Sequence, residues 1–202
     1  MELRIRRLVT MGAVALVCLV LVTAPVPAAP RDPLRAASIA LSAHLVTSVH
    51  LEGFGATYAA NARVPLPSYR ADIDLARDAM TTPQGFLKAA RAAQATVREV
   101  PRGAEVSFVV NGQTFIGVIN ADNEVDRVLT WADVRGRGDT QIETLFRDYE
   151  KTPSGVWFPT HITRSQGGQP VLDLWLSSVR VNTKKSLGGA FRKSYGGALR
   201  KS

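Results

Sequence analysis

Alternation of apolar and polar residues with a period of two is the dominant pattern in this chain. It is clear in residues 69–75 and 141–149, where apolar side chains alternate with charged or polar ones. Successive side chains of a β-strand point to opposite faces of a sheet, so this pattern predicts half-buried strands. Residues 46–58 also predict a strand, with a bend or bulge at its two glycines. Residues 61–68 contain two prolines, and we predict a loop there.

Turn-forming residues separate the strands of the second half. Asn111-Gly112 joins residues 105–110 to residues 114–119, and this dipeptide accepts the positive φ angles of a tight hairpin. Gly167-Gly168 has the same place between the last two strands. Short strands joined by short turns predict an antiparallel meander of about seven or eight strands.

Two segments have helical character. Residues 32–44 have a helix-forming composition. In residues 83–94, Thr82 can cap the helix and a proline suits the first position. Phe86, Leu87, Ala90 and Ala93 share one face of this second helix, which we predict covers one face of the sheet. The predicted fold class is α+β, mainly antiparallel β: a single curved meander sheet with one covering helix, plus an N-terminal signal helix.

The first residues have the pattern of an export signal. Three arginines precede an apolar run over residues 8–24, and Val26-Pro27-Ala28 supplies a small-residue cleavage site. We predict a signal peptide over residues 1–28, a β-rich domain over residues 29–182 and a periplasmic or extracellular location. An uncleaved membrane anchor is the alternative, because the apolar run is near the lower length limit for a span.

The net charge of +8 is concentrated at the two ends of the chain. Residues 1–29 contribute +2 and residues 183–202 contribute +6, which leaves residues 30–182 neutral. We therefore predict no nucleic-acid partner. The tail over residues 183–202 repeats SLGGAFRK as SYGGALRK. Its glycines favour a disordered basic tail, and weak contact with an anionic membrane is the alternative.

No pattern of catalytic residues is present in the sequence. The three histidines, His44, His50 and His161, have no metal-ligand spacing, and no G-x-S-x-G or phosphate loop occurs. The only cysteine, Cys18, lies within the predicted signal peptide. We therefore predict no enzymatic activity, no catalytic or metal-binding residue and no cofactor.

Aromatic residues are concentrated in the second half of the chain and give the one candidate binding site. They either fill the core under the helix or line a groove for an apolar ligand, and core filling is the commoner use. The residues of the candidate apolar groove are Phe86, Leu87, Phe146, Trp157 and Trp175.

Residues 82–181 resemble the β-rich N-terminal accessory domain of secreted metallo-β-lactamase-fold hydrolases. The segments TPQGFLKAARA and FIGVINADNEVDRVLTWAD contribute, and the most specific block is D-Y…G-V-x-F-P-T-H-I, from Asp148 to Ile162, followed by Q-G-G. The hydrolases continue into a zinc-binding domain with an H-x-H-x-D-H motif, which this chain lacks after Asn182. The resemblance implies a non-catalytic bacterial accessory domain, a shortened relative of the domain in these hydrolases, and one interpretation is that it is the product of a truncated gene.

Two other functions stay open. The sheet-plus-helix pattern is also similar to periplasmic lipoprotein carriers, which would make the chain a carrier or binding protein for an apolar ligand. Alternatively, the chain is the accessory part of a split zinc hydrolase and has a separately encoded hydrolase domain as its partner.

Overall fold

A computed structural model of the protein describes residues 32–59, 62–76, 79–134 and 138–182. Within these ranges, nine strands form one antiparallel sheet. The strands are β1 (Ser48–Ala59), β2 (Ala62–Asp74), β3 (Thr96–Val100), β4 (Gly103–Val110), β5 (Gln113–Asn120), β6 (Val125–Val134), β7 (Gly138–Lys151), β8 (Trp157–Gln166) and β9 (Gln169–Val181). The predicted class, α+β with mainly antiparallel β, is therefore confirmed. The predicted signal helix and basic tail lie outside the described residues.

The order of the strands is β2-β1-β9-β8-β7-β6-β5-β4-β3. Strands β3 to β9 form a meander in which each strand pairs with the next. The last strand then pairs with β1, so that Leu51 lies opposite Val179. The chain crosses from β2 at one edge to β3 at the other through a helix. This crossover places that helix over one face of the sheet.

The prolines of residues 61–68 do not interrupt the sheet, and the prediction of a loop there is wrong. Pro65 and Pro67 lie within β2, which pairs with β1 on one side. Proline has no N–H to donate to a ladder, so it is tolerated in an edge strand, where one side of the strand needs no partner. The register between β1 and β2 shifts between Gly53 and Gly55, where an irregularity was predicted, but the extra residue lies in β2, where Pro67 and Ser68 together span the position of Phe54.

Two helices accompany the sheet, where the sequence analysis predicts one covering helix. Helix α1 (Pro33–Ala40) begins at Asp32, whose carboxylate accepts a hydrogen bond from the Arg35 N–H at 3.0 Å. It ends before Ser42, whose φ of 51° is left-handed, and a short 3₁₀ turn follows. The helix predicted over residues 32–44 is therefore divided in two.

Helix α2 (Pro83–Ala92) has the predicted cap and the predicted buried face. The Thr82 hydroxyl accepts a hydrogen bond from the Gly85 N–H at 3.1 Å. Phe86, Leu87 and Ala90 are each 0% exposed. Neither helix in the described part of the chain has the length and apolar character that a membrane span requires.

The core lies between α2 and the sheet, with α1 beside it. The Phe86 ring is 5.3 Å from the Phe108 ring, and Phe108 stacks on Phe115 at 5.6 Å. Below Phe86 the sheet has Gly117, where any side chain would meet the ring. Tyr149 also packs against this core, although strict alternation from Phe146 would place it on the other face. The intervening residue, Asp148, has a left-handed φ of 54°, which breaks the alternation.

Candidate ligand-binding cavity

A cavity of about 740 Å³ lies beside α2, between the helix, the end of β2 and the β4–β5 hairpin. This volume is within the range of about 300–1,000 Å³ for small-molecule sites. The cavity is lined by Leu75, Ala76, Met80, Thr81, Lys88, Ala89, Ala92, Ala93, Val109, Val110, Asn111, Gln113 and Phe115. Most of these side chains are aliphatic or aromatic, so the walls suit an apolar ligand.

The sequence of α2 explains why space remains here. The helix buries its large side chains, Phe86 and Leu87, in the core. Towards the cavity it presents three alanines, Ala89, Ala92 and Ala93. A methyl side chain fills little volume, so space remains next to the alanine face of α2. On the face with the large side chains, the corresponding space is filled. The cavity therefore borders the core and shares Leu75 and Phe115 with it.

Few polar groups line the cavity, and two of them are held by main-chain carbonyl groups. The Lys88 ammonium donates a hydrogen bond to the carbonyl of Val46. The Gln113 amide donates to the carbonyl of Trp131 at 2.9 Å. Apolar walls with a few fixed polar groups are typical of sites for amphiphilic small molecules.

The five groove residues predicted from the sequence do not line this cavity. Phe86 and Leu87 are 0% exposed and Phe146 is 1% exposed, so these three belong to the closed core. Trp157 and Trp175 are each 42% exposed. Trp175 lies between Leu174 and Leu176, which are buried, and alternation along the strand therefore places its side chain on the outer face of the sheet.

The sequence analysis missed the residues of the cavity itself. The signal that would have found them is the segment KAARAA over residues 88–93, which follows the large residues of α2. A helix face made of alanines with one lysine fills little volume and adds one charge. This helix face lines a cavity only because the β4–β5 hairpin lies opposite it, and the sequence does not predict that position of the hairpin.

An ionic network covers the outer face where β2, β1 and β9 run side by side. His50 lies 2.7 Å from Asp72 and 3.1 Å from Glu52, and Arg70 and Arg180 contact Glu52 at 3.3 and 3.2 Å. The hydrogen bond to Asp72, followed by that to Glu52, raises the pKa of His50 above its ordinary value. The hydrogen bond with His50 lowers the pKa of Glu52. Both ring nitrogens of His50 are engaged, so the network joins strands and leaves no nitrogen of this ring free for proton transfer.

His161, the other histidine on a strand, also has a carboxylate partner. His161 Nε2 lies 2.8 Å from Asp173, and its ring stacks on Trp175 with 3.8 Å between ring centroids. Among the described residues, no group of three or more His, Cys, Asp and Glu side chains is arranged to hold a metal ion. The structure therefore identifies the cavity beside α2 as the candidate functional site.

One buried phenol contributes to the fold. Tyr149 donates a hydrogen bond to the carbonyl of Val125 at 2.8 Å. Burial raises the pKa of Tyr149 well above its usual value. The group is therefore a neutral structural donor at physiological pH.

Comparison of the chain with models of protein families, with curated proteins and with solved structures finds no match. The resemblance to the accessory domain of metallo-β-lactamase-fold hydrolases stays a prediction from the sequence.

Proposed function

We propose that this protein is a non-catalytic binding protein or carrier that holds an apolar ligand, such as an acyl chain, in the cavity beside α2. The observation that carries the proposal is a cavity of about 740 Å³ with mainly apolar walls, next to a core that is already filled. Burying apolar ligand surface there would contribute about 25 cal/mol per Å².

The arrangement of the sheet supports this proposal. Leu75, just after β2, and Phe115 on β5 both line the cavity. In a flat sheet with this strand order, β2 and β5 would be about six spacings of 4.8 Å, or ~29 Å, apart. The two strands border one small cavity if the sheet curves around α2, as the sequence predicts. The cavity is open to solvent, since Val109 in its wall is 58% exposed, so a ligand could enter without unfolding of the sheet.

The proposed setting is outside the cytoplasm, as the pattern of the first residues predicts. An accessory role beside a zinc hydrolase domain is the prediction that follows from the sequence resemblance. The cavity offers a function that this chain can perform alone.

Binding can be measured with N-phenyl-1-naphthylamine, an uncharged probe whose fluorescence rises in apolar surroundings. We expect the full chain to bind the probe with a micromolar Kd. Ala92→Trp, which places an indole in the cavity, should weaken binding at least about tenfold, the equivalent of ~1.4 kcal/mol.

Arg91→Trp is the matched control. Arg91 is the neighbouring residue on α2, is exposed as Ala92 is, and differs from Ala92 in that it does not line the cavity. This variant should bind the probe like the unaltered chain, and both variants should keep the circular dichroism spectrum of the fold. No fluorescence increase with the unaltered chain, or equal effects of the two tryptophans, would refute the proposed function.

A further inference from the structure

One charged group lies in an otherwise uncharged cavity. Of the described residues that line the cavity, Lys88 alone carries a charge. It is half-buried and follows directly after Leu87, a core residue. Its ammonium is fixed on the side of the cavity where β1 begins, by the hydrogen bond to the carbonyl of Val46.

The hydrogen bond of Lys88 does not neutralise its charge. A carbonyl is a dipole, and an ammonium group has three N–H donors, of which the contact with Val46 uses one. Among the described residues, no carboxylate forms an ion pair with Lys88. A partly desolvated charge is unfavourable without a counter-charge. A ligand that brings an anionic group to this point would pair with the Lys88 ammonium.

The apolar surfaces of the cavity extend away from Lys88. Ala92 lies one helical turn beyond it, at i+4, and Ala89 and Ala93 flank this line. The far wall comes from the β4–β5 hairpin, with Val110 and Phe115. A cation at one end and aliphatic or aromatic walls beyond it match a molecule with an anionic head and a hydrocarbon chain.

We propose that the ligand is an anionic single-chain amphiphile. Its carboxylate or phosphate pairs with the Lys88 ammonium, and its acyl chain lies between the alanines of α2 and the β4–β5 hairpin. This inference rests on the proposed function and adds the charge of the ligand and the residue that recognises it. Lys88 thereby determines the orientation of the ligand in the cavity, with the anionic head group at the lysine.

The test compares three ligands of equal chain length as competitors of N-phenyl-1-naphthylamine on the full chain: dodecanoate, dodecyl phosphate and dodecanol, each below its micelle concentration. We expect one or both anions to bind about tenfold to hundredfold more tightly than dodecanol, the range for a hydrogen bond to a charged group. The tighter of the two anions tells whether the head group is a carboxylate or a phosphate.

Variants of α2 assign this preference to one side chain. Lys88→Met should remove the preference for anions, so that dodecanoate, dodecyl phosphate and dodecanol displace the probe with similar affinities. Lys88→Arg should retain the preference, since it keeps a charged donor. Arg91→Met removes a positive charge from the exposed part of the same helix and should retain it as well.

The possible failures are distinguishable. If the unaltered chain does not bind the probe, the proposed function fails, and this inference fails with it. If the probe binds but the three competitors have equal affinities, or if Lys88→Met still prefers anions, the cavity binds apolar ligands and the inference about an anionic head is wrong.

Discussion

Replacing Gly117 with alanine tests a close packing contact between α2 and the sheet. A methyl group at this position would lie 2.2 Å from Cζ of Phe86, and 2.6 and 2.9 Å from its Cε1 and Cε2 atoms. The Phe86 ring is completely buried and rests against Phe108. It therefore cannot yield unless α2 or its neighbours in the core move.

Two opposing effects set the size of the change. Alanine restricts the unfolded chain more than glycine does, which stabilises a protein by about 0.4–1 kcal/mol where the new side chain fits. Overpacking a filled core costs about 1–3 kcal/mol. Because the contact with Phe86 is far inside van der Waals distance, we expect overpacking to dominate and Gly117→Ala to be destabilising by about 1–2 kcal/mol. In a protein of this size that lowers Tm by about 2–8 °C.

Urea unfolding followed by circular dichroism measures the free energy, and an unchanged m-value shows that the unfolded state is comparable. The decisive measurement is a double-mutant cycle with Phe86→Leu. Leucine lacks the outer ring atoms, so the new methyl group has room. The double variant should then be more stable than the sum of the single effects, with a coupling of about 0.5–3 kcal/mol. A stabilising Gly117→Ala, or additive effects, would show that the ring does not rest on this glycine.

Three further predictions concern single side chains. In the folded protein the pKa of His50 is above its unfolded value of about 6.5. Its contribution to stability is therefore complete below pH 6.5 and is lost as the pH rises through the folded pKa. Urea midpoints measured across this pH range should show the loss in the unaltered protein and should not show it in His50→Gln. Tyr149→Phe removes the hydrogen bond to the Val125 carbonyl and should cost about 0.5–1.5 kcal/mol in urea unfolding. It should not lower the number of tyrosines that ionise near pH 10 in the folded protein, since the Tyr149 phenol stays neutral there. Leu87→Ala removes a completely buried side chain and should cost about 2–5 kcal/mol by calorimetry, whereas Arg91→Ala on the exposed face should change Tm little; equal effects would contradict the assigned helix face.

Features that depend on neighbouring residues could be predicted from the sequence. Thr82 caps α2 because its hydroxyl reaches an N–H three residues away. Asn111 and Gly112 form the hairpin turn because both accept a positive φ, which is 52° and 76° here. The buried face of α2 follows from the spacing of its large side chains. Each of these signals involves only a few neighbouring residues, so it can be recognised without knowing where the segment lies in the fold.

Features that depend on the position of a strand within the sheet could not be predicted. The prolines of β2 are compatible with a strand because β2 lies at an edge, and the sequence does not say which strand that is. Strand β3 (Thr96–Val100) was not predicted, although its residues pair with β4 throughout. Trp175 was predicted to line an apolar groove with Phe86 and Leu87, and its outward orientation follows from its neighbours, Leu174 and Leu176, which are buried in the core.

The sequence alone thus determined the mainly antiparallel class, the turns and the covering helix, because periodicity, caps and turn residues act locally. The tertiary structure decided the strand order and the candidate site. Lys88 and Ala92 lie on a helix, Leu75 follows an edge strand, and Phe115 belongs to a strand far away in the sheet. Only the pairing of β1 with β9, across more than a hundred residues, completes the sheet that brings these walls together. A cavity is a property of surfaces that face one another, and a linear pattern does not specify which surfaces will meet.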